Sequence, residues 1–314
     1  MGSSSPRAPA PDVVALFGPT ASGKTAVAAH LVDLIEARPI SADSAALYAG
    51  LPVLTAAPPY PTELVGVVPL AEPVSVGAYQ RLAHAAIDRA LAEGKRALVV
   101  GGTGLYLRAA LSELPLAPPP RPGERERWEA VYLELGPEGA HALLAERDPA
   151  AAERIHANDR KRVVRALELS EARSSLAPDR DDLWSAEFRR PTLLVALDVP
   201  LEELDRRIDA RTVSLAEHGV AEEARRAWSQ PLSPAAAKVL GLEAFATLDE
   251  DTAIAAVAAA TKRLARYQRK WLRRLPGAVT LDGSRPAEEI ADEIVALERS
   301  GEHLPRHRGD TATP

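Results

Sequence analysis

The stretch GPTASGKT, residues 18–25, decides how the fold of this chain is predicted. Glycine, four residues, glycine, lysine and threonine are typical of a loop that wraps phosphate groups, because the glycines let backbone N–H groups converge on phosphate oxygens and the lysine adds positive charge. The apolar run DVVALFG (12–18) predicts a strand, and the spacing of KTAVAAHLVDLIEA (24–37) predicts a helix. The loop therefore predicts phosphate binding, without saying which reaction the phosphates serve.

The chain beyond this loop continues to alternate between strand and helix patterns. Further strands are predicted at RPISAD (38–43), KRALVVGG (95–102) and RRPTLLVALDVP (189–200), with helices at 76–94 and 201–219. This alternation predicts a P-loop NTPase-like α/β fold, a parallel sheet flanked by helices. Because ligands of such sheets bind beyond the carboxyl ends of the strands, the loops at 18–25, 43–48 and 101–106 are expected at one edge.

Composition shifts along the chain predict how it is divided. The proline-rich PLAPPPRPG (115–123) cannot continue a helix or a central strand, and the region after it is charged and mostly helical in pattern. The predicted segments are a loose tail (1–11), the first part of the core (12–112), an inserted helical lobe (113–190), the second part of the core with a basic helix (191–283), and a C-terminal helix with a frayed tail (284–314).

The bulk composition excludes several classes of protein. The chain has 314 residues, 46% of them apolar, and no cysteine, which excludes a disulfide framework, a cysteine-based zinc site and a thiol nucleophile. No apolar run approaches the roughly 20 residues that a bilayer requires, and the first residues lack a signal-peptide pattern. We therefore expect a soluble, cytoplasmic, monomeric protein with no membrane partner.

Basic residues are concentrated in two segments, although the net charge is −6. The first is ERIHANDRKRVVRALE (153–168), and the second is TKRLARYQRKWLRR (261–274), which holds seven basic residues and no acid. Helical spacing places Lys262, Arg266, Arg269 and Arg273 on one stripe, with Leu264, Trp271 and Leu275 on another that is expected to face the core. Such patches can contact a phosphate backbone, although a basic stripe is more often only solvated.

An ordered set of segments resembles one known family. The segments are GPTASGKT, SADSAALYAGL (41–51), VGGTGLYLRAAL (100–111), NDRKRVVRALEL (158–169), LDRRIDARTVSLAEHGVAEEA (204–224), KVLGLEAF (238–245) and TKRLARYQRKWLRR. In order and spacing they resemble the tRNA dimethylallyltransferases, also called tRNA isopentenyltransferases, of the bacterial type. The resemblance runs from about residue 13 to 282. It implies transfer of a dimethylallyl group from dimethylallyl diphosphate to N6 of the adenosine next to the anticodon in tRNA.

The resemblance also implies roles for individual residues. Asp43 would accept a proton from the attacking amine, Thr103 would contact the tRNA near the reacting base, and Arg211 would act on the diphosphate. The diphosphate would be bound by Gly18, Pro19, Thr20, Ala21, Ser22, Gly23, Lys24 and Thr25, with Mg²⁺ held by Thr25. The anticodon stem-loop would be bound by Asp43, Ser44, Ala45, Ala46, Thr103, Arg125, Lys161, Arg162, Arg165, Lys262, Arg266 and Arg269. The alternative for Asp43 is a cap on a helix beginning at SAALYAG (44–50).

The chain departs from the family pattern at several positions. Ala46 stands where the family has glutamine, Ala57 where it has lysine, and Tyr267 where it has arginine, while LVGVVPLAE (64–72) replaces a histidine-containing segment. Most of these changes concern the reacting base, so recognition of the base is expected to differ more than binding of the diphosphate.

Three other functions remain open from the sequence. An adenylate isopentenyltransferase would use the same chemistry on free AMP, ADP or ATP. A P-loop small-molecule kinase would use Asp43 or Asp198 to arrange Mg²⁺. A relative that binds RNA without catalysis would fit the losses at Ala46 and Ala57.

Overall fold

A five-stranded parallel sheet forms the centre of the computed structural model. The structure describes residues 10–116, 120–121, 123–172, 174–176, 183 and 185–301. The strands are β1 (Val13–Phe17), β2 (Ala37–Ser41), β3 (Arg96–Gly101), β4 (Thr192–Asp198) and β5 (Val279–Asp282), in the spatial order β2-β3-β1-β4-β5. Every neighbouring pair is parallel. The predicted fold class is confirmed.

Eleven helices accompany these strands in the described part of the chain. They are α1 (Lys24–Leu34), α2 (Val76–Ala92), α3 (Gly104–Leu111), α4 (Glu124–Arg147), α5 (Pro149–Ala152), α6 (Arg160–Glu171), α7 (Leu201–Glu217), α8 (Val220–Trp228), α9 (Leu242–Thr247), α10 (Glu250–Leu272) and α11 (Ala287–Ser300). None of the described helices is long and apolar enough to cross a membrane.

The sheet is buried on both faces, as its apolar strands require. Every residue of β1 is buried, and β4 is buried up to its last residue. Residues of α1 and α11, such as Leu31 and Ile294, join those two strands in one hydrophobic cluster. Continuous apolar strands are characteristic of parallel sheets covered by helices, which is why the pattern DVVALFG does not alternate.

Two predicted boundaries differ from the structure. The helix after the phosphate loop ends at Leu34, and Ala37 already belongs to β2. That strand ends at Ser41 rather than at Asp43, so the aspartate lies in the loop beyond the strand. The predicted N-terminal tail (1–11) and the end of the predicted C-terminal segment (284–314) lie almost entirely outside the described residues, which run from 10 to 301 with gaps.

The chain divides into two compact units. One comprises residues 1–114 and 183–314, with the sheet, and the other comprises residues 115–182, inside the span 113–190 that the sequence assigned to an inserted lobe. Within the second unit, α4 packs on α6 through buried side chains that include Trp128, Leu144 and Leu167. Its longest helix is broken at Gly136, whose φ of 69° is not helical and which precedes Pro137.

A buried carboxylate organises the turn at residues 51–57. Glu223 of α8 is 3% exposed, and its two oxygens accept hydrogen bonds from the backbone N–H groups of Val53 and Leu54, at 2.9 and 2.7 Å. The turn is closed by a bond from Ala57 N–H to the Pro52 carbonyl, at 2.9 Å. Glu223 thus joins segments about 170 residues apart.

We expect Glu223→Ala to lower the free energy of unfolding by about 2 to 4 kcal/mol, because two buried N–H groups lose their acceptors. Glu223→Gln keeps one acceptor oxygen and should lose less. Glu222→Ala is the matched control, since Glu222 is exposed on the same helix and should change stability by under about 0.5 kcal/mol. Denaturant unfolding measures all three; equal stability of the Glu222 and Glu223 alanine variants would contradict the role of Glu223.

Candidate active site

The phosphate loop turns sharply where β1 ends. Gly18 has no room for a side chain, since a Cβ there would lie 2.6 Å from Ser22 Oγ and 3.1 Å from the Leu197 carbonyl. Gly23 has a φ of 89°, in the left-handed region that favours glycine, and α1 begins directly after it. The loop therefore has the sharp strand-to-helix turn that lets amides and a helix N-terminus face an anion.

Lys24 lies folded back against this loop. Its Nζ donates to the Pro19 carbonyl at 2.6 Å. The pKa of Lys24 is lowered to about 7, mainly by burial; the negative charge of Asp43 opposes this shift, and the positive charge of Arg211 adds to it. These effects show that Asp43 and Arg211 both act on the lysine, although they lie on segments far apart in sequence.

Asp43 lies in a tight turn beyond β2. Its Oδ1 accepts a hydrogen bond from the Ala45 N–H at 2.9 Å, and its own N–H donates to Ser41 Oγ at 3.3 Å. These bonds orient the carboxylate. Residues 44–47 form a turn and not a helix, so the alternative in which Asp43 caps a helix there is wrong. Within this turn Ser44 and Ala45 are half-buried and Ala46 is buried.

The glycine turn after β3 fills the space between Asp43 and the phosphate loop. A Cβ on Gly101 would lie 2.2 Å from the Ala42 carbonyl, and a Cβ on Gly102 would lie 2.9 Å from the Gly18 carbonyl. Thr103 follows these glycines and precedes α3, without capping it through its side chain. The turn that precedes it is therefore adjacent to both loops, as expected for loops at the carboxyl edge of a parallel sheet.

Arg211 reaches the phosphate loop from α7. Its Nη1 donates to Thr20 Oγ1 at 3.3 Å. Burial lowers the pKa of Arg211, and the charge of Asp43 opposes that shift. From its sequence alone this arginine would be taken for a solvated residue on a helix face. The structure instead brings it to the phosphate loop, near enough to Lys24 and Asp43 for their charges to influence one another.

Asp198 ends β4 and was one of two candidates for arranging Mg²⁺ in a kinase. Both of its oxygens accept from Arg269 of α10, with Nε and Nη2 at 2.9 and 3.0 Å. No cluster of three or more acidic, histidine or cysteine side chains that could hold a metal exists among the described residues. Thr25, the predicted protein ligand, lies at the exposed start of α1. Such a site fits Mg²⁺ only when phosphate oxygens and water complete its coordination.

The predicted basic stripe of α10 is paired with acids. Lys262 binds Asp209 and Arg266 binds Asp205, each at 2.7 Å, and both acids belong to α7. Contact of this stripe with RNA would require phosphates to compete with these carboxylates. Such exposed pairs are weak, typically contributing under about 1 kcal/mol each, so they can be exchanged.

The predicted apolar stripe of α10 is partly wrong. Leu264 is 37% exposed, and the buried face of the helix carries Ala265, Gln268 and Leu272 instead. Trp271 does pack inward, since a Cβ on Gly104 would lie 2.3 Å from its ring. The buried residue that sequence reasoning missed is Gln268, whose only signal is an uncharged polar side chain in a run of basic residues.

The second unit has its own arrangement of basic residues on α4 and α6. Arg125 donates two hydrogen bonds to Glu168, at 2.9 and 3.2 Å, and Arg165 donates one at 2.8 Å. Although burial raises the pKa of Glu168, these bonds outweigh it and hold the pKa below its usual range. The side chains of Lys161 and Arg162 are exposed on α6.

Fold and site together define the class: a P-loop α/β protein with a carboxylate and an arginine set against its phosphate loop. A sequence model of the IPP transferase family matches residues 46–275. The chain belongs to that family.

Named relatives agree with this assignment. The chain is 40% identical over 307 residues to the tRNA dimethylallyltransferase of Kineococcus radiotolerans, covering 91% of this chain and 96% of the relative. It is 37% identical over 293 residues to that of Streptomyces avermitilis, covering 88% and 92%. Each relative carries the name of a prenyl-transferring enzyme, the class of enzyme that the sequence predicted.

Solved structures have the same fold. The tRNA isopentenylpyrophosphate transferase of Bacillus halodurans superposes with a TM-score of 0.64 at 25% identity, covering 92% of this chain and 97% of that chain. A eukaryotic dimethylallyltransferase acting on tRNA gives a TM-score of 0.72 at 22% identity, covering 91% and 78%, and supports the fold alone.

The pKa of Lys24 predicts how anion binding depends on pH. Below a pKa of about 7 the ammonium is present and can bind an anion, and as pH rises through that value the charge is lost. The dissociation constant for inorganic diphosphate should then rise by up to about tenfold per pH unit. Lys24→Arg is the control because arginine stays charged. Titration calorimetry should show the ratio of the two constants rising above pH 7; a constant ratio would contradict the lowered pKa.

Proposed function

We propose that this chain transfers a dimethylallyl group from dimethylallyl diphosphate to N6 of the adenosine next to the anticodon in tRNA, with release of diphosphate. Family membership and the names of the relatives support the reaction. The observation that carries the proposal is that backbone contacts of Gly101 with Ala42 and of Gly102 with Gly18 bring the turn of Asp43 to the phosphate loop, to which Arg211 also donates a hydrogen bond. It indicates that Asp43, as a base, lies beside a loop that can bind the departing diphosphate.

The chemistry follows from this arrangement. The bond from N6 to the allylic carbon forms as the carbon–oxygen bond to the diphosphate breaks, and the N6 proton passes to Asp43. Negative charge gathers on the diphosphate, where the loop amides, Lys24 and Arg211 stabilise it; one well-placed donor of this kind contributes about 3 to 4 kcal/mol. An exocyclic amine is a poor nucleophile, so a carboxylate within reach of its proton assists the attack.

Mg²⁺ is part of the proposal. Thr25 would hold the ion through its hydroxyl, together with oxygens of the diphosphate and water. When bound, the ion would offset negative charge on the leaving group. Asp198 is engaged by Arg269, which leaves Asp43 as the other carboxylate that the kinase alternative could use for the metal.

Binding of the anticodon stem-loop is assigned to the basic residues of each unit. In the second unit they are Arg125, Lys161, Arg162 and Arg165, and on α10 they are Lys262, Arg266 and Arg269. Glu168 orients the two arginines that it binds, while Lys161 and Arg162 are exposed to a phosphate backbone. The adenine must leave its stack to react, at a cost of a few kcal/mol that is smaller in a loop than in a duplex.

One assay separates the proposed reaction from its alternatives. The purified protein is incubated with Mg²⁺, labelled dimethylallyl diphosphate, and either unmodified tRNA or AMP. Label on tRNA supports the proposal, whereas label on AMP identifies an adenylate isopentenyltransferase. Transfer to neither acceptor would overturn the proposal and leave the RNA-binding and kinase alternatives.

Asp43→Asn should reduce prenyl transfer by about 10²-fold or more, because the amide cannot accept the proton. Affinity for inorganic diphosphate should stay nearly intact, because the loop amides remain and the loss of a repelling negative charge is offset by the loss of the charge that raises the pKa of Lys24 and of Arg211. Asp33→Asn removes an exposed carboxylate of α1 and serves as the control. Turnover by the Asp43 variant equal to that of the control would remove Asp43 from its assigned role.

Lys161→Ala and Arg162→Ala should each weaken tRNA binding several-fold and reduce the slope of log affinity against log salt by about one. The reason is the loss of one phosphate contact in each variant, which leaves fewer counterions to be released. Arg206→Ala is the control, because the Arg206 side chain is exposed on α7. Filter binding over a salt series measures the slopes; unchanged slopes in both variants would place the tRNA elsewhere.

A further inference from the structure

Gln268 occupies a position that the proposed chemistry does not yet use. It lies on α10 and is 6% exposed. Its Oε1 accepts a hydrogen bond from the backbone N–H of Thr20, at 2.8 Å. Thr20 belongs to the phosphate loop and lies 248 residues earlier in the chain. A backbone N–H can only donate, so the oxygen of the Gln268 amide must face the loop.

The nitrogen of the same amide faces the glycine turn. A Cβ on Gly102 would lie 2.6 Å from Gln268 Nε2 and 2.9 Å from the Gly18 carbonyl. The amide therefore lies between the start of the phosphate loop and the turn that carries Thr103. Because the amide contacts both segments, a change of this side chain is expected to disturb their spacing.

The helical turn that contains Gln268 makes two further contacts with the same edge of the sheet. Arg269 donates two hydrogen bonds to Asp198, at the end of β4. The ring of Trp271 contacts Gly104, where a Cβ would lie 2.3 Å away. Three of four consecutive residues of α10 thus contact the phosphate loop, the end of β4 and the start of α3. A residue that positions the phosphate loop must itself be held in place, and these neighbouring contacts hold this turn of α10 against the edge of the sheet.

The absence of charge on the Gln268 side chain suits this position. A neutral amide gives Thr20 N–H an acceptor without placing negative charge beside an anion site. A carboxylate would satisfy the same N–H but repel the diphosphate, and a lysine or arginine, which are common in the rest of this helix, has no acceptor to offer.

We propose that Gln268 is a positioning residue that holds the phosphate loop at a fixed distance from the glycine turn, and so sets the diphosphate against the attacking base. The proposal rests on the function given above for its effect on turnover. Its effect on the loop and on diphosphate binding is independent of that function.

Amide hydrogen exchange of the wild-type protein provides the first test. In the absence of any ligand, the Thr20 N–H should exchange slowly, since it is held by Gln268. In Gln268→Met, whose side chain has similar length and no strong acceptor, exchange should accelerate by about tenfold or more. Exchange of the wild-type Thr20 amide at an unprotected rate would overturn the proposal, and this result requires no variant that folds.

Binding and kinetics provide the second test. In Gln268→Met the dissociation constant for inorganic diphosphate should rise about tenfold, and kcat for prenyl transfer should fall at least as much, while KM for tRNA stays within about twofold. Tyr267→Phe, at the exposed neighbouring position, should leave all three unchanged. A residue needed only for stability would lower the melting temperature without this division between kcat and KM.

The outcomes separate the two proposals. If the wild-type protein binds diphosphate but transfers no prenyl group, the proposed function fails, while Thr20 exchange and diphosphate affinity still decide the role of Gln268. Wild-type diphosphate affinity in a folded Gln268→Met variant overturns that role. If the variant does not fold, wild-type exchange at Thr20 decides: slow exchange supports the proposal and fast exchange ends it.

Discussion

The close approach of three loops at the carboxyl edge of the sheet is the constraint on which the site depends. Gly101 and Gly102 lie so near Ala42 and Gly18 that neither position can hold a Cβ without a shift of backbone. The backbone of this turn contacts the backbone of the Asp43 loop and of the phosphate loop. The distance between Asp43 and the phosphate loop is therefore set by peptide groups and not by flexible side chains. Such spacing suits a reaction in which base and leaving group must stay on opposite sides of one carbon.

Electrostatics within this spacing explain the state of each charged group. Two cations in a partly buried site would repel one another, and burial already lowers the pKa of both Lys24 and Arg211. The carboxylate of Asp43 opposes these shifts and so keeps more positive charge available for the diphosphate. The same carboxylate is the proposed base, so one group serves both halves of the chemistry. An anion bound at the loop would add to its effect on Lys24.

Local sequence signals made much of the fold and of the site predictable, whereas contacts between residues far apart in sequence could not be predicted. The phosphate loop could be identified because its spacing is local, and Asp43 could be placed near it because parallel strands end at one edge. Glu223 and Gln268 escaped prediction, since their partners lie about 170 and 248 residues away. Leu264 was misassigned because a shift of one residue rotates a helix by about 100°. The role of Arg211 could be predicted only from the family resemblance, because its sequence surroundings are those of an ordinary charged helix face.

Two of the departures from the family pattern, Ala46 and the segment 64–72, form one connected piece of structure. The Ala46 carbonyl accepts from Gly66 N–H at 2.8 Å, and Ala49 N–H donates to the Val68 carbonyl at 2.8 Å, so the turn after Asp43 is paired with the replaced segment 64–72. Changes that touch one another can compensate, because the backbone of each segment is fixed by the other. Buried Ala46 offers no side-chain amide to the edge of an adenine. At this position the chain therefore has only backbone groups to offer, whereas the phosphate loop keeps the residues GPTASGKT on which the resemblance rests.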